Sequence, residues 1–280
     1  MADVSWGVVV WLTDLDLGIS EVARAVEDSG MESLFLTEHT HIPVSRRDVL
    51  DDFHHALDPR ILDQFTVLGA AAAVTSRVKL GTGACIVTQR DPIILAKQVA
   101  TLDHLSQGRF LFGVGAGWLV EEMRNHGVSP ERRWDLMREH VLAMKEIWCH
   151  DEAEFHGRFV DFDPILSWPK PVTVPHPPIL VGAAGPRGLR GAAEFGDGWM
   201  PIVDDLSTFE AQRGELHRLC AMRGRADLEV TAFLYEADEQ LLEGCARLGV
   251  SRCAVLAPTN GRGSLESFLE RYSALSRSIA

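Results

Sequence analysis

Positive charge is scarce in this chain: 27 lysines and arginines stand against 40 aspartates and glutamates, a formal net charge of −13 over 280 residues. A surface so biased repels phosphate backbones and anionic lipid, which argues against wrapping nucleic acid or resting on an acidic membrane. An anionic ligand would need a local group of basic residues or helix N-termini. Cysteine is sparse as well. Cys85, Cys149, Cys220, Cys245 and Cys253 form no C-x-x-C pair, and their odd count fits no disulfide framework. They read as reduced thiols of a cytoplasmic protein. No stretch reaches about 18 uninterrupted apolar residues, and the first residues, MADVSWGVVVWL, carry no basic segment ahead of their short apolar run. Neither a membrane span nor an export signal is expected. Also missing are the G-x-S-x-G elbow, the Walker phosphate loop and any cysteine-metal cluster, which leaves few candidates for covalent catalysis.

What is present is concentrated in residues 80 to 118, LGTGACIVTQRDPIILAKQVATLDHLSQGRFLFGVGAGW. A strand from Val78 to Gly83 runs into Gly81, Thr82, Gly83 and Ala84, where minimal side chains would let a flat ligand approach the backbone. A second strand, Arg109 to Gly113, ends in Gly113, Gly115 and Gly117. Between them Asp91 suits a helix cap with Pro92 at the first position, and Ile94, Leu95, Val99, Leu102 and Leu105 supply an apolar stripe. The unit is strand, crossover, parallel strand.

The same rhythm runs through most of the chain. Strands are expected at Trp6 to Leu12, Ser33 to Thr37, Pro178 to Gly182, Trp199 to Val203, Leu228 to Leu234 and Arg252 to Leu256, making eight in all. Helices are expected at Ile19 to Ser29, Asp63 to Val74 and Ser129 to Trp148, the last capped by Ser129, and from Pro186, Ser207, Asp238 and Ser264. Residues 152 to 178 break the pattern with a hairpin around Gly157 and six prolines. Eight alternating units in 280 residues fit one closed (β/α)8 TIM barrel domain over 1–280 better than an open doubly wound sheet. Excursions follow strands two (Glu38 to Arg60) and four (at about 151–178), and both are expected to wall the active site.

Chemistry in such a barrel sits at the C-terminal ends of the strands. Glu38 and His39, in LTEHTHIP, fall there and suit a proton donor, although residues so placed also serve to hold a long loop by hydrogen bonds. His39 and His41, with His54 and His55, lack an acidic or cysteine ligand at a standard spacing, so no metal is expected. GVGAGW at 113–118 departs from the dinucleotide pattern G-x-G-x-x-G because Trp118 stands at the third glycine. It reads either as a tight turn or as a backbone surface for a cofactor. VGAAGPRGLRG at 181–191 ends strand five, and Pro186 opens a helix whose free amides suit a phosphate, with Arg187 or Arg190 adding charge. Trp11, Trp118 and Trp168 are candidates to line an apolar pocket.

These segments, with WLVEEMRNHGV, FHGRFVDFD and PKPVTVPHPPILVGAAGP leading into AAEFGDGWMP, resemble the bacterial luciferase-like superfamily, and within it the branch of coenzyme F420-dependent oxidoreductases. The resemblance covers most of the chain. It implies a barrel that holds a reduced flavin or deazaflavin at the strand C-terminal ends. Gly83 and Ala84 resemble the family's bulge with a non-proline cis peptide behind the cofactor ring, with Cys85 and Ile86 adjoining. Gly115, Ala116 and Gly117 resemble the loop along the ribityl chain, with Trp118 and Glu121 behind it. Gly182, Ala183, Ala184 and Gly185 match the loop near cofactor phosphate and ring, and Glu38 and His39 match an acidic residue and a histidine at the end of strand two. Many relatives have a glycine pair and serine at 183 to 185, and some have aspartate at 38. The lysine and arginine set of sugar-phosphate-oxidising members is not evident.

The expected function is hydride transfer from reduced F420 to a small organic substrate with a polarised double bond, a proton being supplied near His39. The alternatives are an FMN-dependent luciferase-like monooxygenase and a non-catalytic flavin- or deazaflavin-binding protein. A small-molecule substrate and a possible homodimer are expected, with neither nucleic acid nor membrane as partner.

Overall fold

A computed structural model describes residues 4–46, 59–236 and 238–279. Eight parallel strands close into a barrel: β1 (Ser5–Val10), β2 (Ser33–Leu36), β3 (Lys79–Thr82), β5 (Phe110–Gly115), β8 (Ile179–Val181), β9 (Gly198–Trp199), β10 (Glu229–Leu234) and β11 (Arg252–Leu256), in chain order around the ring. The ring shuts where β1 pairs with β11, Val8 opposite Val255, and β3 with β5, Leu80 opposite Phe110. A two-residue strand, β4 (Cys85–Ile86), continues β3 beyond a cis Gly83–Ala84 peptide and also pairs with β5. All eight expected strands are found, and the helices between them are those of a (β/α)8 barrel.

The pleat divides the core in two. Alternate residues Val8, Leu34, Phe110, Phe112, Val181 and Val255 face outward into a large apolar layer beneath the helices. Their neighbours Val9, Phe35, Leu111, Leu180, Met200, Phe233 and Ala254 face inward and fill the barrel floor, so the interior is packed and not a pore. Phe35 and Phe233 meet edge to face across it with centroids 5.1 Å apart. Gly81 and Gly113 serve this packing. A Cβ on Gly81 would lie 2.3 Å from the Phe35 ring, and one on Gly113 would lie 1.9 Å from the Thr82 carbonyl oxygen. The expectation that Gly81 and Thr82 open the backbone to a ligand is therefore corrected: both are buried, and the Thr82 hydroxyl donates to the Gly113 carbonyl at 2.7 Å.

Local capping fixes the helix starts. Asp63 accepts from the Thr66 N–H at the head of α2 (Gln64–Val74), and Asp91 accepts from the Ile93 and Ile94 N–H groups at the head of α3 (Pro92–Leu105). Ile94 and Leu105 are exposed, and α3 buries Leu95, Val99 and Leu102 with the small residues Ala96 and Ala100 instead. Ser129 is not a cap: its hydroxyl donates to Glu131, and the helix, α5 (Arg133–Cys149), starts four residues later. The other helices are α1 (Ile19–Asp28), α4 (Val120–Asn125), α6 (Gly185–Phe195), α7 (Leu206–Ala221), α8 (Glu239–Arg247) and α9 (Arg262–Ile279). No helix among the described residues is long and apolar enough to cross a membrane.

The second excursion contains the expected hairpin, β6 (Glu152–His156) with β7 (Asp161–Leu166). It leaves from the end of α5 and lies outside the barrel. Glu139 of α5 accepts from the Arg158, Phe159 and Val160 N–H groups, and Asp103 of α3 accepts from Thr173. This anchoring to the outer faces of α3 and α5 is why it cannot wall the site as expected.

Candidate active site

The strand C-terminal ends surround a cavity of about 450 Å³ with an unequal lining. On one side lie Gly83 and Ala84, then Gly115, Ala116 and Gly117, then Gly182, Ala183 and Ala184. None of these eight residues carries more than a methyl group, and Ile86 and Met200 line the cavity beside them. The three segments converge on Ala84, since a Cβ built on Gly115 would lie 3.4 Å from the Ala84 Cβ, and one on Gly182 would lie 3.2 Å from it. Such a face offers backbone and methyl groups to a planar ring. Trp118 lines the mouth half-exposed.

The other expected residues divide. Glu38 and His39 line the same cavity. Cys85 does not: its side chain is fully buried in the layer beneath the helices, where burial pushes the thiol well above its usual range, aided by the Glu38 charge. Gly185, at φ +75°, opens α6 just beyond the cavity. Trp168 is remote, on the outer face, where its carbonyl accepts from Lys97. His54 and His55 lie outside the described residues, and among those described no group of three or more His, Cys, Asp or Glu could hold a metal ion.

Both carboxylate oxygens of Glu38 are engaged. One accepts from the Ile86 N–H at 2.6 Å and the other from the Arg90 guanidinium. Arg90 also reaches Asp63 at 3.2 Å and lies over the Phe65 ring, so the chain Glu38–Arg90–Asp63 ties the end of β2 to the head of α2. Burial disfavours the Arg90 charge, but the Glu38 carboxylate outweighs that and holds the guanidinium above its usual value.

His39 has a different partner. Its Nδ1 lies 2.9 Å from Oε2 of Glu122, on α4, and Oε1 of Glu122 accepts from the Thr40 N–H at 2.8 Å and hydroxyl at 3.1 Å. The Glu122 side chain is 1% exposed and that of His39 7%. Burial opposes the Glu122 charge, yet the hydrogen bonds from His39 and Thr40 prevail and hold the carboxyl below its ordinary value. An ionised carboxylate only accepts, so Nδ1 carries the proton and donates. That leaves Nε2 as the ring nitrogen able to take or give a proton at the cavity. Trp118 packs edge-on against the imidazole at 5.8 Å.

Sequence reasoning missed Glu122, singling out Glu121 instead. Glu121 faces outward to Arg46 at 3.2 Å, and adjacent helix positions point about 100° apart, so only one of the two can face the barrel. The far wall was also missed: Ile202, Phe233 and Tyr235 join Trp11 there. Their signal was positional, since each stands at or just beyond the C-terminal end of a barrel strand.

A family model for the luciferase-like monooxygenases matches residues 18–237. The uncharacterized protein Rv0953c of Mycobacterium tuberculosis is 38% identical over 276 residues, covering 96% of this chain and 97% of its own. The FMNH2-dependent dimethylsulfone monooxygenase of Pseudomonas putida is 29% identical over 182 residues, which is 64% of this chain and half of that enzyme. Among solved structures, the coenzyme F420-dependent tetrahydromethanopterin reductase of Methanopyrus kandleri superposes with a TM-score of 0.75 over 98% of this chain and 97% of its own, at 18% identity.

Proposed function

The chain belongs to the luciferase-like monooxygenase family, and within it we propose an oxidoreductase that uses reduced coenzyme F420 to deliver a hydride to a small organic molecule with a polarised double bond. The observation that carries this reading is the glycine and alanine face centred on Ala84, which offers a planar tricyclic ring backbone and methyl groups to lie against. When bound, the reduced deazaflavin supplies the hydride.

The protein's residues do the rest. Gly83, Ala84, Gly115, Ala116, Gly117, Gly182, Ala183 and Ala184 hold the ring through backbone contact. Glu38 is a positioning residue, because its carboxylate fixes the Ile86 N–H and Arg90 and so sets the strand end that carries Ala84. His39 exchanges a proton with the substrate through Nε2, while Glu122, accepting from Nδ1–H, fixes the ring's orientation and tautomer.

The preference for F420 over FMN comes from a neighbouring cleft of about 540 Å³ between α5 and α6. Trp134 lines both this cleft and the main cavity, and Arg132, Arg138, Arg187 and Arg190 line its walls. Arg138 is paired with Glu194 at 2.6 Å and Arg132 with Asp135 at 3.5 Å, whereas Arg187 and Arg190 have no ion-pair partner among the described residues. Glu131 also lines the cleft and Glu215 lies within reach of the Arg190 charge, but Arg187 and Arg190 on α6 still give a cationic place to sit to a phosphate followed by further carboxylates, a longer anionic tail than FMN carries.

The FMN-dependent monooxygenase is the second reading, favoured by the sequence likeness to the dimethylsulfone enzyme. Anaerobic titration with oxidised and reduced F420 and FMN, followed by cofactor fluorescence, tests the choice. Tighter binding of F420 supports the proposal, and binding of FMN alone transfers it to oxygen chemistry.

A further inference from the structure

The cavity has a second wall that the cofactor reading leaves unused. It is built from the ends of β1, β2, β10 and β11 and the segment after β9, and it presents Trp11, Thr37, Ile202, Phe233, Tyr235 and Leu256. A side chamber of about 70 Å³ opens at its foot. The Trp11 and Tyr235 rings stand 6.2 Å apart, tilted at 55°. Ile202 is 55% exposed and Tyr235 38%. Large apolar side chains left uncovered at the mouth of a site mark a surface that another apolar body covers.

No charged side chain from the described residues lies on this wall. The cations near the main cavity stand apart from this wall: Arg133 lines the cavity over the Trp134 ring, with Nη1 donating to the Pro130 carbonyl and Nε buried without a partner, and Arg90 behind the cavity holds Glu38. A carboxylate or phosphate brought against Trp11 and Ile202 would lose its hydration and meet no counter-charge. The polar groups there are few. The Thr37 hydroxyl is buried without a hydrogen-bond partner, the Tyr235 phenol is pushed above its ordinary pKa by partial burial and by the Asp204 charge, and His39 borders the wall at the end of β2. A buried hydroxyl left unpaired is costly, and a ligand oxygen would satisfy it.

We infer that this wall is the substrate subsite and that it takes a neutral, largely apolar molecule, its apolar body against Trp11, Tyr235 and Ile202 and one carbonyl or hydroxyl oxygen between Thr37 and His39. The inference rests on the cofactor occupying the small-residue wall, which adjoins this one at Gly83. The occupant then has its polar atom beside His39 and its apolar body beside the cofactor face.

The test uses two probes sharing one ring: cyclohex-2-en-1-one, which is neutral, and cyclohex-1-ene-carboxylate, which is anionic. Binding is read by saturation-transfer NMR, with and without oxidised F420, while F420 fluorescence in the same samples reports cofactor binding separately. The ketone is expected to bind alongside F420, at least tenfold tighter than the carboxylate. Trp11→Ala and Ile202→Glu should each weaken it about tenfold, the second at an exposed position that leaves the fold intact, and Thr37→Val should weaken it without altering binding of cyclohexene. Equal or tighter binding of the carboxylate, displacement of the ketone by F420, or unchanged affinity in Ile202→Glu would overturn the inference. Loss of F420 binding alone would sink the cofactor reading, leaving the subsite to be judged on the probe pair and its variants.

Discussion

His39 and Glu122 are 83 positions apart in the chain, yet Nδ1 of one and Oε2 of the other lie 2.9 Å apart at the rim of the barrel. The contact joins the end of β2 to α4 and leaves Nε2 as the imidazole's exchangeable end. If that nitrogen supplies the proton, His39→Ala should lower turnover about 10²–10⁴-fold while cofactor affinity changes little. Single-turnover kinetics at saturating cofactor make the comparison, and an unchanged chemical rate removes His39 from the mechanism.

Glu122→Gln tests the orienting half of the pair. The amide keeps the size but can donate as well as accept, so it no longer forces the proton onto Nδ1. Turnover should fall by about 10–100-fold, less than for His39→Ala, and the pH profile should change shape, because the ionised partner is gone. A purely structural role would lower thermal stability and leave the pH profile in place.

The glycines separate by purpose. A Cβ on Gly115 meets nothing closer than 3.4 Å, so Gly115→Val should fold, fill the cradle and raise the cofactor Kd at least about tenfold, roughly 1.4 kcal/mol. A Cβ on Gly113 would sit 1.9 Å from a backbone oxygen. Gly113→Ala should therefore destabilise the fold by about 1–3 kcal/mol or more. Thermal melts beside cofactor titrations distinguish the two, and normal affinity in Gly115→Val would reduce that glycine to a turn residue.

These outcomes track what the sequence makes legible. Short continuous apolar runs such as VVV in β1 and LFL in β2, alternating with Asp-capped helices, carry the barrel, because strands buried on both faces and joined by helices form a parallel sheet. The small-residue rim was equally readable, since Gly83, Gly115 and Gly182 each end a strand. Long-range choices were not. Nothing local distinguishes Glu122 from Glu121 before α4 is oriented, and the commitment of Glu38 to Arg90, 52 residues away, depends on the return of the chain after β3. The hairpin at 152–166 was visible, but its side of the barrel is decided by Glu139 and Asp103 on helices far from it in sequence.

Arg187 and Arg190 bear on cofactor choice. Replacing both with alanine should weaken F420 at least about tenfold while leaving the tail-less deazaflavin riboside unaffected, because only the charged tail reaches the cleft between α5 and α6. The difference should narrow in about 0.5 M salt, where charges several ångströms apart are screened. Fluorescence titration of both ligands provides the measurement. Equal loss for the two would place the effect at the ring.

Acid stability should depend on Glu32. Its carboxylate receives Arg252 at 2.7 Å and Lys79 at 2.8 Å, bracing the N-terminal ends of β2, β3 and β11. Burial opposes the charge, but the two cations outweigh it and bring the Glu32 pKa down to about 2 from an ordinary 4.5. A carboxyl depressed in the folded state binds its proton more readily when unfolded, so its contribution is full above about pH 4.5 and is lost as the pH falls towards 2. Glu27, also at about 2 and accepting from the Ser76, Arg77 and Val78 N–H groups, adds to the same slope. Glu32→Gln leaves Arg252 buried beside a neutral amide and should cost about 2–3 kcal/mol at pH 7. Between pH 4.5 and 2 the variant should then lose less further stability than the parent, so the two urea-unfolding curves converge on acidification. A gap that stays constant across that window would show that the Glu32 charge does not brace these strands.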